Sequence, residues 1–317
     1  MAVTLADPGG TVLVLRALGL GDLLTGIPAL RGLRRALPLA HVVLATRGDL
    51  AGLALFSGAV DEVLPTPGLG QLRWDGRSVD LAVNLHGRGP QSIGDLAATR
   101  PRSLLSHRHP AYPDAEGPQW RDDVHEVDRW CALLHTAEIS CDPADLGLER
   151  PAGYTYRRDV VVLHPGAAYP SRRWPVDRFA AVAAELSRSG HRIVVTGSAA
   201  ERDLAHRVAE RAGLDEKAVI AGELDVLGMV ALVCDCRLVI CGDTGVGHIA
   251  TATGTPSVLL FGPTPPSRWG PRQGARHVTL WAGDVGDPHG DQPHPGLLRI
   301  TAGQVLQAGA KLLAEAA

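Results

Sequence analysis

The sequence predicts an α/β protein built from two doubly wound domains with parallel sheets. Three observations predict it. Short continuous apolar runs such as "TVLVLR" and "DVVVLHPGA" read as buried strands, and they alternate with longer amphipathic helix patterns. The alternation breaks off at residues 142–158 and then starts again. A length of 317 residues suits two domains of about 150 each.

The first half reads in order. A strand at 11–16 enters the tight loop "ALGLG", and "DLLTGIPALRGLRRALP" follows as an amphipathic helix ending at Pro38. "AHVVLATRG" is a strand, "AGLALFSG" a short helix, and "VDEVLP" and "DLAVNLHG" are two further strands. Residues 103–128 turn polar, rich in Pro, His and Asp, and read as loops over the sheet edge. "VDRWCALLHTAEI" is a helix, and "DPADLGLERPAGYTYRR" is the linker.

In the second half, "DVVVLHPGA" is a strand with a Gly loop. "WPVDRFAAVAAELSRSG" is a helix with Pro175 near its first turn and Gly190 at its end. "HRIVVTGS" is a strand, "AAERDLAHRVAERAG" a helix, "AVIAGE" a short strand and "LDVLGMVALVCDC" a helix. "RLVI" is a strand, "HIATATG" a helix closed by Gly254, and "TPSVLLFG" the next strand. The expected domains are therefore 1–150 and 151–317, with ligands at the carboxyl ends of the strands in a cleft between them.

Bulk composition excludes several classes. The net charge of −3 supplies no basic field for nucleic acid. No apolar run approaches the ~20 residues of a membrane span. The five cysteines show no zinc spacing, and an odd count without a signal peptide fits a reducing cytoplasm. A cytoplasmic protein that needs no cofactor and no metal is expected, because no D-x-D run or regular ligand spacing occurs at a strand end.

Four stretches carry chemistry, each beside a plainer reading. "LRALGLGDLLTG" starts like a dinucleotide fingerprint, but Leu24 holds the third glycine position and no acid ends the second strand. Asp22, in the first turn of a helix, is either an N-cap or a general base. In "HPGAAYPSRRWPVDRF", Gly166 allows close backbone approach, and Arg172 adds positive charge just before a helix. That charge is explained by a bound anion or by simple solvation. In "VVTGSAAERD", Thr196, Gly197 and Glu201 either hold a ribose or start a helix. In "CGDTGVGHIATATGTPSVLLFGPT", Asp243, Thr244, Gly245, Gly247 and His248 form a Gly-rich strand-to-helix turn of the anion-binding kind. Asn84, His86 and Arg88, following a strand of the first half, are the acceptor candidates.

These stretches, with "CGDTGVGHIATATGTPSVLLFGPTPPSRWGP" the most specific, resemble glycosyltransferase family 9, the ADP-heptose heptosyltransferases. The blocks run in the family's order from about residue 12 to 310. The resemblance implies the GT-B architecture of two Rossmann-like domains. It implies inverting transfer of a sugar, a heptose from ADP-heptose, to a hydroxyl of a glycan or small molecule. Asp22 then corresponds to the general base, and Asp243, Thr244 and Gly245, with His248 beside them, to the donor turn. Glu201 corresponds to the ribose ligand, and Arg172 stands where the family has a phosphate-binding lysine. Many relatives carry cysteines where this chain has "WAGDVGDPHGDQPHPG". The competing readings are a nucleotide- or NAD-dependent enzyme and a non-catalytic nucleotide-sugar binding protein.

Overall fold

The computed structural model describes residues 9–272 and 274–315. The chain divides into two compact units, the second beginning at Gly147. The first contains β1 (Thr11–Leu15), α1 (Leu20–Ala36), β2 (His41–Thr46), α2 (Ala51–Phe56), β3 (Glu62–Pro65), β4 (Leu81–Asn84), α3 (Gln91–Ala97), β5 (Ser103–Leu105) and α4 (Glu126–His135). Its five strands pair in parallel in the order β3-β2-β1-β4-β5. The central strands are fully buried because their runs are apolar on both faces, as a doubly covered parallel sheet requires. Helix α1 buries Leu23, Leu24, Ile27, Leu30 and Leu33, packs on α4, and continues through Pro28 without ending.

The second unit contains β6 (Val160–His164), α5 (Val176–Arg188), β7 (Arg192–Val195), α6 (Arg202–Ala212), α7 (Val226–Asp235), β8 (Leu238–Gly242), α8 (Gly245–Thr253) and β9 (Ser257–Phe261). It ends with α9 (Pro266–Trp269), β10 (His277–Trp281), α10 (Pro295–Arg299) and α11 (Ala302–Glu315). The strands are again all parallel, in the order β10-β9-β8-β6-β7. In each sheet the strand order reverses once, between β1 and β4 in the first and between β6 and β8 in the second. In open α/β sheets the crevice at such a reversal, outside the carboxyl ends, is where ligands bind.

The structure departs from expectation in three places. The polar stretch 103–128 includes β5, three residues that extend the sheet beside β4. "AVIAGE" is no strand: only Val219 bridges to Val195, and Gly222 at φ 78° turns the chain away. The cysteine count fits a reducing compartment, yet Cys131 and Cys141 are joined as a disulfide with Cα atoms 5.3 Å apart. Helix α11 packs within the second unit, against α5, β8 and β9, with Val305, Leu312 and Leu313 in that unit's core. Among the described residues no helix is long and apolar enough to cross a membrane, and no group of three or more His, Cys, Asp or Glu is placed to hold a metal ion.

Candidate functional site

In the first unit, the chain segments that leave β1 and β4 lie on the two sides of the strand-order reversal. The segment after β1 carries Arg16 and Asp22, and the one after β4 carries His86. Asp22 sits in the first turn of α1, and its Oδ2 accepts from the Gly19 amide at 3.2 Å. Gly19 is the N-cap residue, not Asp22, which is the third residue of the helix and reaches back to the N-cap amide as the acidic half of a capping box. The bond fixes one carboxylate oxygen while the side chain stays 27% exposed. Its other oxygen, Oδ1, lies 3.8 Å from Arg16 Nη2.

Arg16 has no solvent exposure. Its Nε donates to the carbonyl of Asp22, its Nη1 to the carbonyl of Leu85, and its Nη2 to Thr25 Oγ1 at 3.0 Å and Glu126 Oε1 at 3.2 Å. A buried charge is costly without partners. Glu126, at the start of α4, supplies one. It also pairs with Arg129 at 3.1 Å and accepts from Trp130 Nε1 at 2.8 Å. Burial pushes the Glu126 carboxyl up, but Arg16, Arg129 and the Trp130 hydrogen bond outweigh it and hold it below its ordinary value. The guanidinium of Arg16 also lies over the Trp130 ring, 4.9 Å from its centroid.

His86 Nδ1 accepts from the Ala17 amide at 3.2 Å, so its hydrogen is on Nε2. Burial and the charge of Arg16 lower its pKa to about 4. The ring is therefore neutral at pH 7, and its accepting nitrogen is occupied. Asn84, an acceptor candidate from the sequence, has its side chain engaged within the protein. It is fully buried, its Nδ2 donates to the Gly87 carbonyl, Ser92 Oγ and Ser106 Oγ, and its Oδ1 accepts from the His86 amide at 3.1 Å. The polar side chain at the end of a buried strand braces the loop that presents His86. Arg88, two residues further on, is exposed.

In the second unit the corresponding loops follow β6, β7 and β8. A short 3-10 turn, Pro170–Arg172, brings the carbonyl of Arg172 so close to β8 that a Cβ on Gly242 would stand 2.9 Å from it. Arg172 Nη1 then lies 4.0 Å from Asp243 Oδ2, and Arg172 Nε is buried with no hydrogen-bond partner among the described residues. Asp243 is itself buried, and Thr244 is the N-cap residue of α8, with Gly245 as the first helical residue. Gly247 packs closely in that first turn: a Cβ there would stand 3.0 Å from Leu259 Cδ2, which would have to give way by a few tenths of an ångström. His248 packs edge-on against Trp269, with ring centroids 5.9 Å apart.

Glu201 closes a capping box on Ser198, taking the amide at 2.8 Å and the hydroxyl at 2.9 Å. Burial pushes its carboxyl up, but the Ser198 donors, His164 and Arg173 together outweigh burial and hold it below the ordinary range. Gly166 faces it so closely that a Cβ there would overlap the Glu201 carboxylate. Thr196 is buried and bonded to His164 Nδ1 at 2.9 Å. Burial lowers the pKa of that histidine. The Cβ of an alanine at 197 would stand 3.1 Å from Glu201 Cβ. Thus Gly166, Arg172, Thr196, Gly197, Glu201, Asp243 and Thr244 all belong to loops that follow strands β6, β7 and β8 of one sheet.

A family model described as glycosyltransferase family 9 (heptosyltransferase) matches residues 121–285, just over half of the chain. This chain belongs to glycosyltransferase family 9. It is 29% identical over 185 residues to lipopolysaccharide heptosyltransferase 2 of Salmonella typhimurium, a match covering 56% of this chain and 51% of the relative. It is 28% identical over 294 residues to lipopolysaccharide heptosyltransferase 1 of Pseudomonas aeruginosa, covering 80% and 79%. The chain thus spans about half the length of the first of these curated relatives and four fifths of the second. The solved structure of E. coli ADP-heptose lps heptosyltransferase II superposes with a TM-score of 0.77 at 21% identity, over 96% of this chain and 99% of that one. At that identity the likeness establishes the fold, two parallel-sheet α/β units of the GT-B type.

Within this family 9 chain, sequence reasoning missed three buried groups that build the site: Arg16, Glu126 and His164. The signal was present for two of them, since "TVLVLR" and "VVVLH" end apolar strands on a polar side chain that the sheet buries. Glu126 carried no such signal, because only the packing of α4 on α1 brings it to Arg16.

Proposed function

We propose that this protein is an inverting glycosyltransferase that moves a heptose from ADP-heptose to a hydroxyl of a lipopolysaccharide-type glycan. The donor's diphosphate binds the second unit at the loops after β6 and β8. The acceptor binds the first unit near His86 and Arg88. The observation that carries this reading is the meeting of Arg172 and Asp243 at 4.0 Å across the strand-order reversal, in a chain whose family comprises heptosyltransferases. The likeness to the E. coli ADP-heptose lps heptosyltransferase II supports ADP-heptose as the donor.

The step balances simply. The acceptor oxygen attacks the anomeric carbon, the bond from that carbon to the diphosphate oxygen breaks, and ADP leaves with the electron pair. The acceptor's proton passes to the Asp22 carboxylate, whose Oδ2 is already oriented by Gly19. Charge growing on the leaving diphosphate is met by Arg172 and the first amides of α8. His86 is the less suitable base, since its accepting nitrogen is bonded to the Ala17 amide. Its Nε2–H is a donor, suited to hold an acceptor oxygen in line.

A thermal-shift series with ADP, UDP, GDP and NAD tests the donor. A ligand at 100 times its Kd adds about 2.7 kcal/mol of apparent stability. ADP alone should raise the melting temperature. Stabilisation by NAD and not ADP would favour the competing reading of an NAD-dependent enzyme.

A further inference from the structure

We infer that Arg16 is a positioning residue for the transfer reaction, holding the Asp22 carboxylate and the His86 loop in one fixed constellation. The inference rests on the reading of Asp22 as the base. Arg16 is fully buried and acts through the two groups it binds, without touching substrate.

The geometry is specific. The guanidinium binds the backbone of Asp22 through Nε and the backbone of Leu85, one residue before His86, through Nη1. Its Nη2 also faces Asp22 Oδ1 at 3.8 Å. One planar fork therefore ties the start of α1 to the end of β4 across the strand-order reversal. Five donors in a rigid fork do this, and a lysine's single ammonium does not. The other side of the fork is anchored by Glu126 and backed by the Trp130 ring.

The helix makes room for this side chain. A Cβ on Gly26 would stand 2.9 Å from Arg16 Cδ and 3.0 Å from its Nε. A glycine inside a helix costs about 1 kcal/mol relative to alanine. Gly26 thus trades helix stability for the passage of Arg16. The cluster also balances in charge: Arg16 and Arg129 face Glu126, and Asp22 is the second acid within reach.

The test measures turnover of ADP-heptose with heptose-deficient lipopolysaccharide by Arg16→Lys, Gly26→Ala, Asp22→Asn and the double variant R16K/D22N. Arg16→Lys should lower kcat by about 10–100-fold with the KM for ADP-heptose unchanged within about twofold. Gly26→Ala, which pushes on the same side chain from a helix made intrinsically more stable, should lower kcat in the same direction. In the Asp22→Asn background, Arg16→Lys should cost clearly less than it does in the wild type, since one of the two groups it positions is gone. Full kcat in both Arg16→Lys and Gly26→Ala overturns the inference while leaving Asp22 as the base. So does an Arg16→Lys loss of equal size with and without Asp22. An Asp22→Asn enzyme as fast as wild type overturns the base reading, and this inference with it. If Arg16→Lys does not fold, Gly26→Ala, alone and combined with Asp22→Asn, gives the same decision.

Discussion

Arg172 Nη1 stands 4.0 Å from Asp243 Oδ2, across the point where the strand order of the second sheet reverses. The pair is loose for an ion pair, and Arg172 Nε, buried beside it, is satisfied by no group among the described residues. A buried donor without a partner is costly, and a diphosphate oxygen would supply one. The Arg172→Ala variant is expected to weaken ADP binding by about 1.5–3 kcal/mol, the scale of a hydrogen bond to a charged group. Arg172→Lys should recover part of this, as a point charge without the fork. Isothermal titration with ADP measures both, and equal affinity for wild type and alanine would reduce Arg172 to a partner of Asp243.

Gly166 and Glu201 give a second prediction. The Cβ of an alanine at 166 would overlap Glu201 Oε1, so the carboxylate must leave its place over Ser198. Gly166→Ala should therefore destabilise the fold by about 1–3 kcal/mol, the cost of overpacking. The same substitution should cost markedly less in a Glu201→Ala background, where the obstacle is gone. Affinity for ADP should stay low in that double variant if Glu201 holds the ribose. Urea melts and titrations on the four proteins separate the two effects, and additive stabilities would show that the carboxylate is not what Gly166 accommodates.

Acid sensitivity follows from His107. The ring is 3% exposed, edge-on to Trp120 and Trp130, and its Nδ1 is buried with no hydrogen-bond partner among the described residues. Burial, and then the charge of Arg129, lower its pKa to about 4. The unfolded histidine titrates near 6.5. Between these values the unfolded chain binds a proton that the folded chain does not. Stability is therefore full above pH 6.5 and falls as pH drops toward 4, by up to about 1.4 kcal/mol per pH unit. His86 adds in the same direction, less strongly because it is partly exposed. A His107→Phe variant should keep the aromatic edges and flatten the pH dependence of the urea midpoint by about one proton. An unchanged slope would show that His107 is not the titrating group.

Both sheets were legible because their strands are apolar on both faces, as in "VVVL" before His164 and "VLVL" before Arg16. The misreadings have local causes. Strand β5 is three residues long and begins with an exposed serine, so no periodicity announces it; its place comes from pairing with β4. "AVIAGE" has strand composition, but the Asp215-capped turn before it and Gly222 after it leave a single bridge. The loops after β6, β7 and β8 stood out in the sequence because glycines and charges cluster there. The Arg16–Glu126 pair was not, since its partners are 110 residues apart and joined only by tertiary packing. The role of Asn84 was not legible for a related reason: a polar residue ending a strand braces a loop as readily as it binds a ligand, and its bonds to Gly87, Ser92, Ser106 and the His86 amide appear only in the structure.

The last prediction concerns Asp22, where the capping and catalytic readings coexist in one side chain. Its Oδ2 caps the helix by accepting from Gly19, and an asparagine oxygen can accept the same bond. Its negative charge answers Arg16 at 3.8 Å, a contact that asparagine weakens but that Glu126 continues to balance. Asp22→Asn should therefore melt within a few degrees of wild type. Donor affinity should be near normal, because the groups proposed to hold ADP belong to the second unit. Turnover is different, since an amide does not take up the acceptor's proton at neutral pH. The expected fall in kcat is about 10²–10⁴-fold, the usual scale for a positioned base. Asp22→Ala should lose the bond to the Gly19 amide as well, with a further cost of about 0.5–1.5 kcal/mol in stability, the scale of one hydrogen bond. The measurement is turnover and melting on the three proteins, with ADP titrated into each. An asparagine variant that turns over within a few-fold of wild type would leave Asp22 as a helix cap. The base would then have to be sought elsewhere, and not at His86, whose accepting nitrogen is already taken.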